Sequence, residues 1–312
     1  AMLGGDCHPA TPIGINLPNA EWIRERYGSK SVTLDNITYA YNQASLNSGV
    51  LDEFAYSDEE KELVRTYGYV GGNVHTDLHE CLGHGSGKML PGVGQEALKN
   101  YYSTIEEARA DLFALYYVMD PKLVELGVIP SLDVAKSEYC NYIRNGLMVQ
   151  LTRVKLGNNL EESHMRNRQL IARWAYEHGK ADNVVEFAKR DGKTYVVIND
   201  YEKLRSLFGK LLAEVQRIKS EGDYESGKNL VEEYGVIVDQ DLHNEVLARY
   251  ENLHIAPYKG FVNPVYTPIT DENGNITDIQ ISYNEGYAEQ MLRYSKDYSP
   301  LPIYTSIPVV CK

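Results

Sequence analysis

The chain has 312 residues, of which 43% are hydrophobic and 24% are charged, which are ordinary values for a globular protein. Its 44 acidic and 31 basic residues give a formal net charge of −13, which argues against nucleic acid as a partner, because nucleic-acid binding needs clustered lysine and arginine. No apolar run approaches the roughly 20 residues needed to cross a bilayer, so we expect no membrane partner either.

The cysteines and the start of the chain bear on where the protein works. Cys7, Cys81, Cys140 and Cys311 lie far apart and form no Cys-x-x-Cys pair, so we expect neither a thiolate zinc site nor a disulfide framework. Free thiols indicate a reducing compartment, and a cytoplasmic location is predicted. The opening AMLGGDCHPATPIGINLPN lacks a basic start followed by an apolar core, so it is not a secretory signal, and we expect it to be an interior part of a longer protein.

The first half of the chain predicts helices. Asn19 is a good N-cap for a short helix that ends at Gly28. Ser57, with Glu60 three residues later, forms a capping box that begins another helix. A separate helix is expected to carry NVHTDLHECLGH and to end at the glycines of HGSGK. Further helical patterns follow at residues 103–120, 131–156 and 161–178.

The second half adds two hairpins to more helices. Asp191-Gly192 forms the predicted turn between the β-branched arms of VVEFAKRDGKTYVVI. Asn273-Gly274 lies between two β-rich runs near the end of the chain and predicts a second hairpin. Further helices are predicted at residues 200–220, 223–234 and 240–253.

The distribution of these elements predicts a mainly α fold. Helix dominates the middle of the chain, while strand and turn patterns concentrate near both ends. We therefore expect an α-helical domain over residues 46–256. Residues 1–45 and 257–312 are expected to form a smaller β-containing second lobe that is incomplete in this chain.

The stretch HECLGHGSGK raises the question of a metal site. Zinc peptidases commonly carry His-Glu-x-x-His on one helix, but here His84 follows His79 by five positions. On a regular helix, residues four apart differ by about 40° in direction, whereas residues five apart differ by about 140°. The two histidines can therefore share an ion only if a local bulge or an early helix end deforms the backbone, which Gly83, lacking a Cβ, makes easier.

A competing pair of histidines leaves the ligand set open. His75 and His79 are four residues apart and could bind zinc without any distortion. That pairing would indicate a zinc endopeptidase with the common spacing. Glu80, however, directly follows His79 as a hydrolytic base should, and nothing comparable follows His75.

The third ligand of a catalytic site is expected from EEARAD, at the beginning of the next strong helix. A site with two histidines needs one more protein ligand and leaves a fourth position for water. Glu107 and Asp111 are four residues apart and share a helix face. One of them can bind the metal while the other accepts a hydrogen bond from a ligand imidazole, and Glu106 could serve the other histidine.

HECLGH followed by EEARAD resembles the dipeptidyl peptidase III family, whose signatures are His-Glu-x-x-Gly-His and Glu-Glu-x-Arg/Lys-Ala-Asp/Glu. Members are zinc metallopeptidases, hydrolases of the aminopeptidase type that remove dipeptides from the amino end of oligopeptides. GINLPN, HGSGK, SHMRNR and EGDYESGKNLVEEYG also resemble family segments, so the resemblance covers about residues 13–234. It identifies the chain as similar to the family's C-terminal catalytic portion.

The resemblance implies a role for each residue of the metal site. One zinc ion is expected as the cofactor, bound by His79, His84 and Glu107, with Glu80 as the base that assists attack by a water molecule. Two neighbouring carboxylates are expected to support the ligand histidines: Glu106 and Asp111.

The resemblance also implies residues that contact the substrate. His164, in SHMRNR, becomes the expected active-site histidine that stabilises the oxyanion, with Arg168 as a substrate-binding neighbour. Asn16 and Asn19, in GINLPN, are expected to contact the peptide backbone of the substrate. Oligopeptides are therefore the expected substrates.

The same resemblance implies a partner for this chain. Family members are about twice this length, and their upstream half supplies most of a second lobe and a tyrosine that polarises the scissile carbonyl. The missing N-terminal lobe of the same protein is therefore an expected partner.

The alternative function is a peptide-binding or scaffold module that uses zinc without catalysis. The intact Glu80 disfavours this alternative, because a structural site needs no base.

Overall fold

The computed structural model describes residues 13–18, 20–255 and 262–299. The chain divides into two compact units: residues 12–255 form the larger one, and residues 262–299 are the described part of the smaller one. Within the described residues, helices dominate and the strands form three two-stranded antiparallel sheets. The predicted mainly α fold class is confirmed, whereas the predicted domain boundary at residue 46 stays a prediction.

The regular elements of the described residues are, in chain order, β1 (Gly14–Leu17), α1 (Glu21–Tyr27), β2 (Lys30–Thr33), α2 (Asp35–Leu46), α3 (Val50–Phe54), α4 (Asp58–Leu78), α5 (Tyr102–Val118), α6 (Pro121–Glu125), α7 (Asp133–Leu147), α8 (Ser163–Gly179), β3 (Val185–Arg190), β4 (Lys193–Ile198), α9 (Tyr201–Glu221), α10 (Tyr224–Val231), α11 (Gln240–Glu251), β5 (Val265–Thr270), β6 (Ile276–Ser282) and α12 (Tyr287–Tyr298). Two π-helical turns lie at His79–His84 and Glu232–Val236, and short 3₁₀ helices lie at Gln95–Tyr101, Val149–Arg153 and Lys180–Asp182. None of the helices in the described part of the chain has both the length and the apolar character that a membrane span requires.

Helix α5 is the centre of the larger unit. It packs against α4, α8 and α9, and Ile105, Leu112 and Leu115 along it are fully buried. Burying a side chain of this size contributes about 1.5–3 kcal/mol, so the position of α5 is strongly fixed. Because α5 carries EEARAD, its acidic residues are presented from a rigid element.

Helix α4 is one continuous helix of 21 residues, so the predicted break into two helices was wrong. The predicted N-cap is confirmed, because the Ser57 hydroxyl accepts a hydrogen bond from the Glu60 N–H at 3.2 Å. Gly71, within this continuous helix, allows close packing against α7: a Cβ on Gly71 would lie 3.3 Å from the backbone oxygen of Val134. Tertiary packing thus outweighs the low helix propensity of glycine here.

Helix α4 continues into the π-helical turn His79–His84. In a π-helix the hydrogen bonds run from residue i to i+5, so residues five apart come to lie on one face. The predicted backbone deformation is therefore confirmed as a π-turn. Gly83 is needed there for space, since a Cβ on it would lie 2.6 Å from the Cα of Ala110 on α5.

Replacing Gly83 with alanine is expected to lower the free energy of unfolding by about 1–3 kcal/mol, because the added methyl group would force the π-turn away from α5. Urea unfolding of the metal-free protein measures this loss. The matched control is Gly72→Ala on α4, where a Cβ meets nothing within 4 Å; alanine is expected to stabilise a helix interior by about 0.5–1 kcal/mol. An unchanged midpoint for Gly83→Ala would contradict the close packing.

The remaining predicted helices are present, with bounds that differ from the prediction. The helix predicted at 131–156 ends at Leu147, because Met148 has the non-helical backbone angles φ −138° and ψ −65°. The helix predicted at 223–234 ends at Val231 and passes into the second π-turn. Both bounds therefore differ from the prediction through local backbone geometry that the side-chain pattern does not encode.

Both predicted hairpins are confirmed. Strands β3 and β4 pair in register around Asp191 and Gly192, whose φ angles of 51° and 76° are those of a type I′ turn. Strands β5 and β6 pair around the loop that contains Asn273 and Gly274, with Gly274 at a φ of 80°.

Strand β1 brings the start of the larger unit to the π-turn. It pairs antiparallel with β2, and a Cβ on Gly14 would lie 2.6 Å from a carboxylate oxygen of Glu80. The predicted short helix is present as α1, which begins after Ala20. Asn19, its predicted cap, lies outside the described residues.

Candidate active site and metal centre

The π-turn and α5 bring together the three predicted metal ligands. The Nε2 atom of His79 lies 3.4 Å from Oε2 of Glu107, and the Nε2 atom of His84 lies 3.6 Å from the same oxygen. The two imidazole rings are nearly perpendicular, at 85°, with centroids 4.7 Å apart. One ligand atom from each of the three side chains lies within 4.8 Å of the others, which is close enough to share an ion.

The donor set and its hydrogen bonding fit zinc. Oε2 of Glu107 is buried and has no hydrogen-bond partner among the described residues, although buried polar atoms are nearly always paired. Two ring nitrogens face this oxygen, and two imidazoles with one carboxylate are a common catalytic zinc set. A divalent cation at this point would pair the unsatisfied oxygen with both Nε2 atoms.

Asp111 supports His79 from behind. Nδ1 of His79 donates to Oδ1 of Asp111 at 2.6 Å, which leaves Nε2 free to face Glu107. The other carboxylate oxygen of Asp111 accepts hydrogen bonds from the Tyr142 hydroxyl and the Asn167 amide, both at 2.7 Å. Such a fixed carboxylate sets the tautomer and orientation of a ligand histidine.

Glu106 supports His84 in the same way. Nδ1 of His84 lies 3.1 Å from Oε1 of Glu106. The fully buried Arg109 binds this carboxylate through two hydrogen bonds of 2.8 and 3.0 Å. The same guanidinium donates to the backbone oxygen of Gly83 at 2.6 Å, so it also ties the π-turn to α5.

The carboxylates favour protonated histidines when no metal is bound. Burial lowers the pKa of His79, but the hydrogen bond to Asp111 and the facing carboxylate of Glu107 outweigh burial and raise the pKa to about 10. Burial also lowers the pKa of His84, but the hydrogen bond to Glu106 and the facing carboxylate of Glu107 outweigh burial and raise that pKa. Metal ligation needs neutral imidazoles, so a cation must displace these protons as it binds.

His75 and His79 form a second group that could hold an ion, together with Asp111. Nε2 of His75 lies 3.2 Å from Oδ1 of Asp111. Nδ1 of His75 lies 3.1 Å from Oε1 of Glu138, an ion-pair contact without the geometry of a hydrogen bond. Both ring nitrogens of His75 therefore face carboxylates already, unlike the Nε2 atoms of the first group, which converge on one unpaired oxygen.

Glu80, the predicted base, is buried beside the ligands. One of its carboxylate oxygens has no hydrogen-bond partner among the described residues, and the other packs against Gly14 of β1. Burial raises the pKa of this carboxyl group, and the nearby His79 and His84 partly oppose the rise. A carboxylate with a raised pKa and an available oxygen is suited to take up a proton.

His164 and Arg168 lie on α8 at the edge of the site. The His164 side chain is 55% exposed, and its Nδ1 lies 3.5 Å from Oε2 of Glu107. The Glu162 carboxylate caps the helix by accepting hydrogen bonds from the backbone N–H groups of His164 and Met165, both at 2.9 Å. The imidazole of His164 faces Glu107. Arg168 is half-buried one turn further along the same helix.

The structure places Asn16 against the backbone of the π-turn. Its side-chain amide nitrogen lies 3.2 Å from the backbone oxygen of Glu80 and 2.8 Å from the Ser31 hydroxyl. Its amide oxygen is buried without a hydrogen-bond partner in the described part of the chain. Contact with substrate stays a prediction for Asn16, and Asn19 cannot be placed because it lies outside the described residues.

Three supporting residues have no assigned role in the sequence-based prediction. Arg109 carried a signal, since it lies three residues after Glu106, on the same helix face. Tyr142 and Asn167 carried none, because they reach Asp111 from α7 and α8, far away in the sequence.

Two imidazoles, a carboxylate and an adjacent buried glutamate on a helical scaffold are the set of side chains that metallopeptidases use. The class of protein that the fold and this arrangement of side chains indicate is therefore a peptidase. The chain belongs to peptidase family M49, whose sequence model matches residues 7–101 and 92–252.

Named relatives agree with this assignment. The chain is 28% identical over 289 residues to dipeptidyl peptidase 3 of Mus musculus, an alignment that covers 77% of this chain and 38% of that protein. It is 26% identical to dipeptidyl peptidase 3 of Homo sapiens, with 93% of this chain and 43% of that protein covered. The chain thus spans about two fifths of the length of the curated relatives it matches.

Solved structures show the same fold. The structure of DPP III from Caldithrix abyssi matches with a TM-score of 0.59 and 28% identity, covering 76% of this chain and 42% of that one. Dipeptidyl-peptidase III from Corallococcus sp. strain EGB, at 21% identity and a TM-score of 0.56, shows a similar fold.

Proposed function

We propose that this chain carries the zinc site and the catalytic base of a dipeptidyl peptidase, which releases dipeptides from the amino end of oligopeptides. The observation that carries the proposal is the convergence of two Nε2 atoms, from His79 and His84, on a buried oxygen of Glu107 that has no hydrogen-bond partner among the described residues. Membership of family M49 supports the peptidase class, and the similarity to dipeptidyl peptidases 3 supports the dipeptide product.

The ligands and their supports have separate tasks. His79, His84 and Glu107 would hold zinc, which would act as a Lewis acid and lower the pKa of a water molecule towards neutrality. Asp111 and Glu106 keep the Nδ1 protons of the two imidazoles in place, so that both Nε2 lone pairs stay directed at the ion.

Glu80 moves the proton. Its unpaired oxygen takes a proton from the attacking water, and the resulting carboxylic acid passes that proton to the leaving amine. The raised pKa that burial gives Glu80 brings the carboxyl group closer to the pH at which both steps are efficient. The packing of Gly14 against this side chain limits its movement.

Side chains of α8 and of the GINLPN segment contact the substrate. His164 faces the ligands from the open side of the site and donates a hydrogen bond to the developing oxyanion, an interaction typically worth about 3–4 kcal/mol per donor. Arg168 lies one turn away and contacts the peptide. Asn16 and Asn19 hold the peptide backbone alongside β1 in the manner of an added strand.

A scaffold that uses zinc only for stability is the alternative. The buried Glu80 disfavours it, because an ionisable side chain with an unpaired buried oxygen is costly and a structural site has no use for one. A cytoplasmic location and an N-terminal lobe of the same protein as a partner stay part of the proposal.

Digestion of an oligopeptide tests the function. The zinc-loaded protein, in the longest form that its gene encodes, is expected to release successive N-terminal dipeptides from a peptide with a free amino end, as identified by mass spectrometry. The matched control is the same peptide with an acetylated amino end, which is expected to resist. Zinc-loaded protein that leaves both peptides intact would favour the scaffold, and cuts within both peptides would indicate an endopeptidase.

A further inference from the structure

Lys219 is a fully buried lysine in the last turn of α9. Its ammonium nitrogen lies 2.9 Å from Oε2 of Glu106, the carboxylate that supports His84. Lysine is almost never fully buried unless it is paired, and a buried ion pair is often no more stabilising than an apolar pair of similar volume. The burial of this charge beside the metal site therefore calls for a role other than stability.

The contacts of Glu106 use the whole carboxylate. Oε1 faces His84 Nδ1 and accepts one hydrogen bond from Arg109, while Oε2 accepts the other hydrogen bond from Arg109 and pairs with Lys219. A carboxylate has about four lone-pair sites; three hydrogen bonds, from His84 and Arg109, occupy Glu106, and the Lys219 ammonium lies beside Oε2 as an ion pair. Loss of Lys219 would remove the positive charge beside Oε2 and allow the carboxylate to rotate away from His84.

The end of α9 also contacts the segment that follows the zinc motif. The backbone N–H of Leu90 donates to the backbone oxygen of Ser220 at 2.9 Å, and the Ser220 hydroxyl donates to the backbone oxygen of Lys88 at 3.0 Å. The last turn of α9 thus makes two kinds of contact near His84. Ser220 hydrogen-bonds to the segment that follows His84, and Lys219 pairs with Glu106, which hydrogen-bonds to His84.

The two ligand histidines are supported differently. Asp111, behind His79, is held on its second oxygen by a hydroxyl and an amide, which are neutral donors. Glu106, behind His84, is held by two cations, Arg109 and Lys219. Because both carboxylate oxygens of Glu106 contact a cation, the orientation of this carboxylate depends on Arg109 and Lys219.

We propose that Lys219 is a positioning residue that orients His84 for zinc through Glu106. This inference rests on the proposed function, since it takes His84 to be a zinc ligand. It assigns α9 a direct part in metal affinity, although α9 contributes no ligand.

Zinc affinity of Lys219→Met tests the inference. The variant is expected to bind zinc about 10–100-fold more weakly than the wild type, the usual effect of losing a residue that supports a metal ligand. Competition with a chromogenic chelator measures the affinity. The matched control is Lys210→Met, an exposed lysine on the same helix, which is expected to stay within about twofold of the wild type. Equal affinities for Lys219→Met and the wild type would overturn the inference.

A double-mutant cycle separates positioning from a general structural effect. In the background of Glu106→Gln, replacing Lys219 with methionine is expected to cause no further loss of zinc affinity, because the intermediary is already removed. A further loss that multiplies the first would show that Lys219 acts by another route. The comparison of Glu106→Gln with the double variant remains decisive if Lys219→Met alone does not fold.

The absorption spectrum of the cobalt-loaded protein reports the geometry of the metal ligands, which a change in folding stability alone does not alter. Cobalt-loaded Lys219→Met is expected to show shifted d–d bands, because His84 is reoriented, whereas Lys210→Met keeps the wild-type bands. Unshifted bands would overturn the inference. Wild-type protein that binds no zinc would instead overturn the proposed function and the inference together.

Discussion

Replacing Glu80 with glutamine is expected to lower kcat for a dipeptidyl arylamide by about 10²–10⁴-fold, the usual contribution of a general base. Glutamine has nearly the same shape but cannot take up the proton of the attacking water. Because Glu80 is not among the three side chains that converge as ligands, zinc content is expected to stay at that of the wild type. Initial rates and metal analysis of the same preparations measure both quantities.

The control for this prediction is Glu62→Gln, an exposed glutamate on α4, which is expected to leave kcat unchanged. Undiminished hydrolysis by Glu80→Gln would exclude Glu80 as the base. Loss of zinc together with activity would mean that Glu80 takes part in binding the metal.

Removal of a ligand is expected to have the second large effect. His84→Ala and Glu107→Gln should each lower zinc affinity by more than the roughly 10–100-fold that the loss of an outer hydrogen-bond partner costs. Both Nε2 atoms depend on Oε2 of Glu107 to complete the site, so neither loss can be compensated by the remaining pair. Chelator competition measures the affinities.

His75→Gln separates the two possible ligand sets. His79 belongs to both sets, so its loss cannot distinguish them, whereas His75 and His84 each belong to one. The variant His75→Gln is expected to keep the zinc content of the wild type. A protein that loses zinc with His75→Gln and keeps it with His84→Ala would carry the ion between His75, His79 and Asp111 instead.

Local sequence signals predicted much of the fold. The Ser57 cap and both hairpin turns were correct, because each depends on contacts within a few residues. The break in α4 was predicted wrongly, since Gly71 packs against α7, a contact between distant parts of the chain. Several elements remained unassigned, among them β1, β2, α2, α3, α6 and α12.

In the candidate site, too, the features set by local sequence could be predicted, and those set by distant contacts could not. The five-residue spacing of His79 and His84 required a deformed backbone, and the π-turn supplies it. Its detailed cause, the close approach of Gly83 to α5, could not be predicted because it depends on how two helices pack. The same holds for the partners of Asp111, which come from two other helices.

Anomalous scattering from crystals grown with zinc tests the central claim most directly. Maps from data collected above and below the zinc absorption edge are expected to show one peak, bonded to Nε2 of His79, Nε2 of His84 and the carboxylate of Glu107. A peak beside His75 and Asp111, or a regular helix in place of the π-turn with Glu107 directed into solvent, would contradict it.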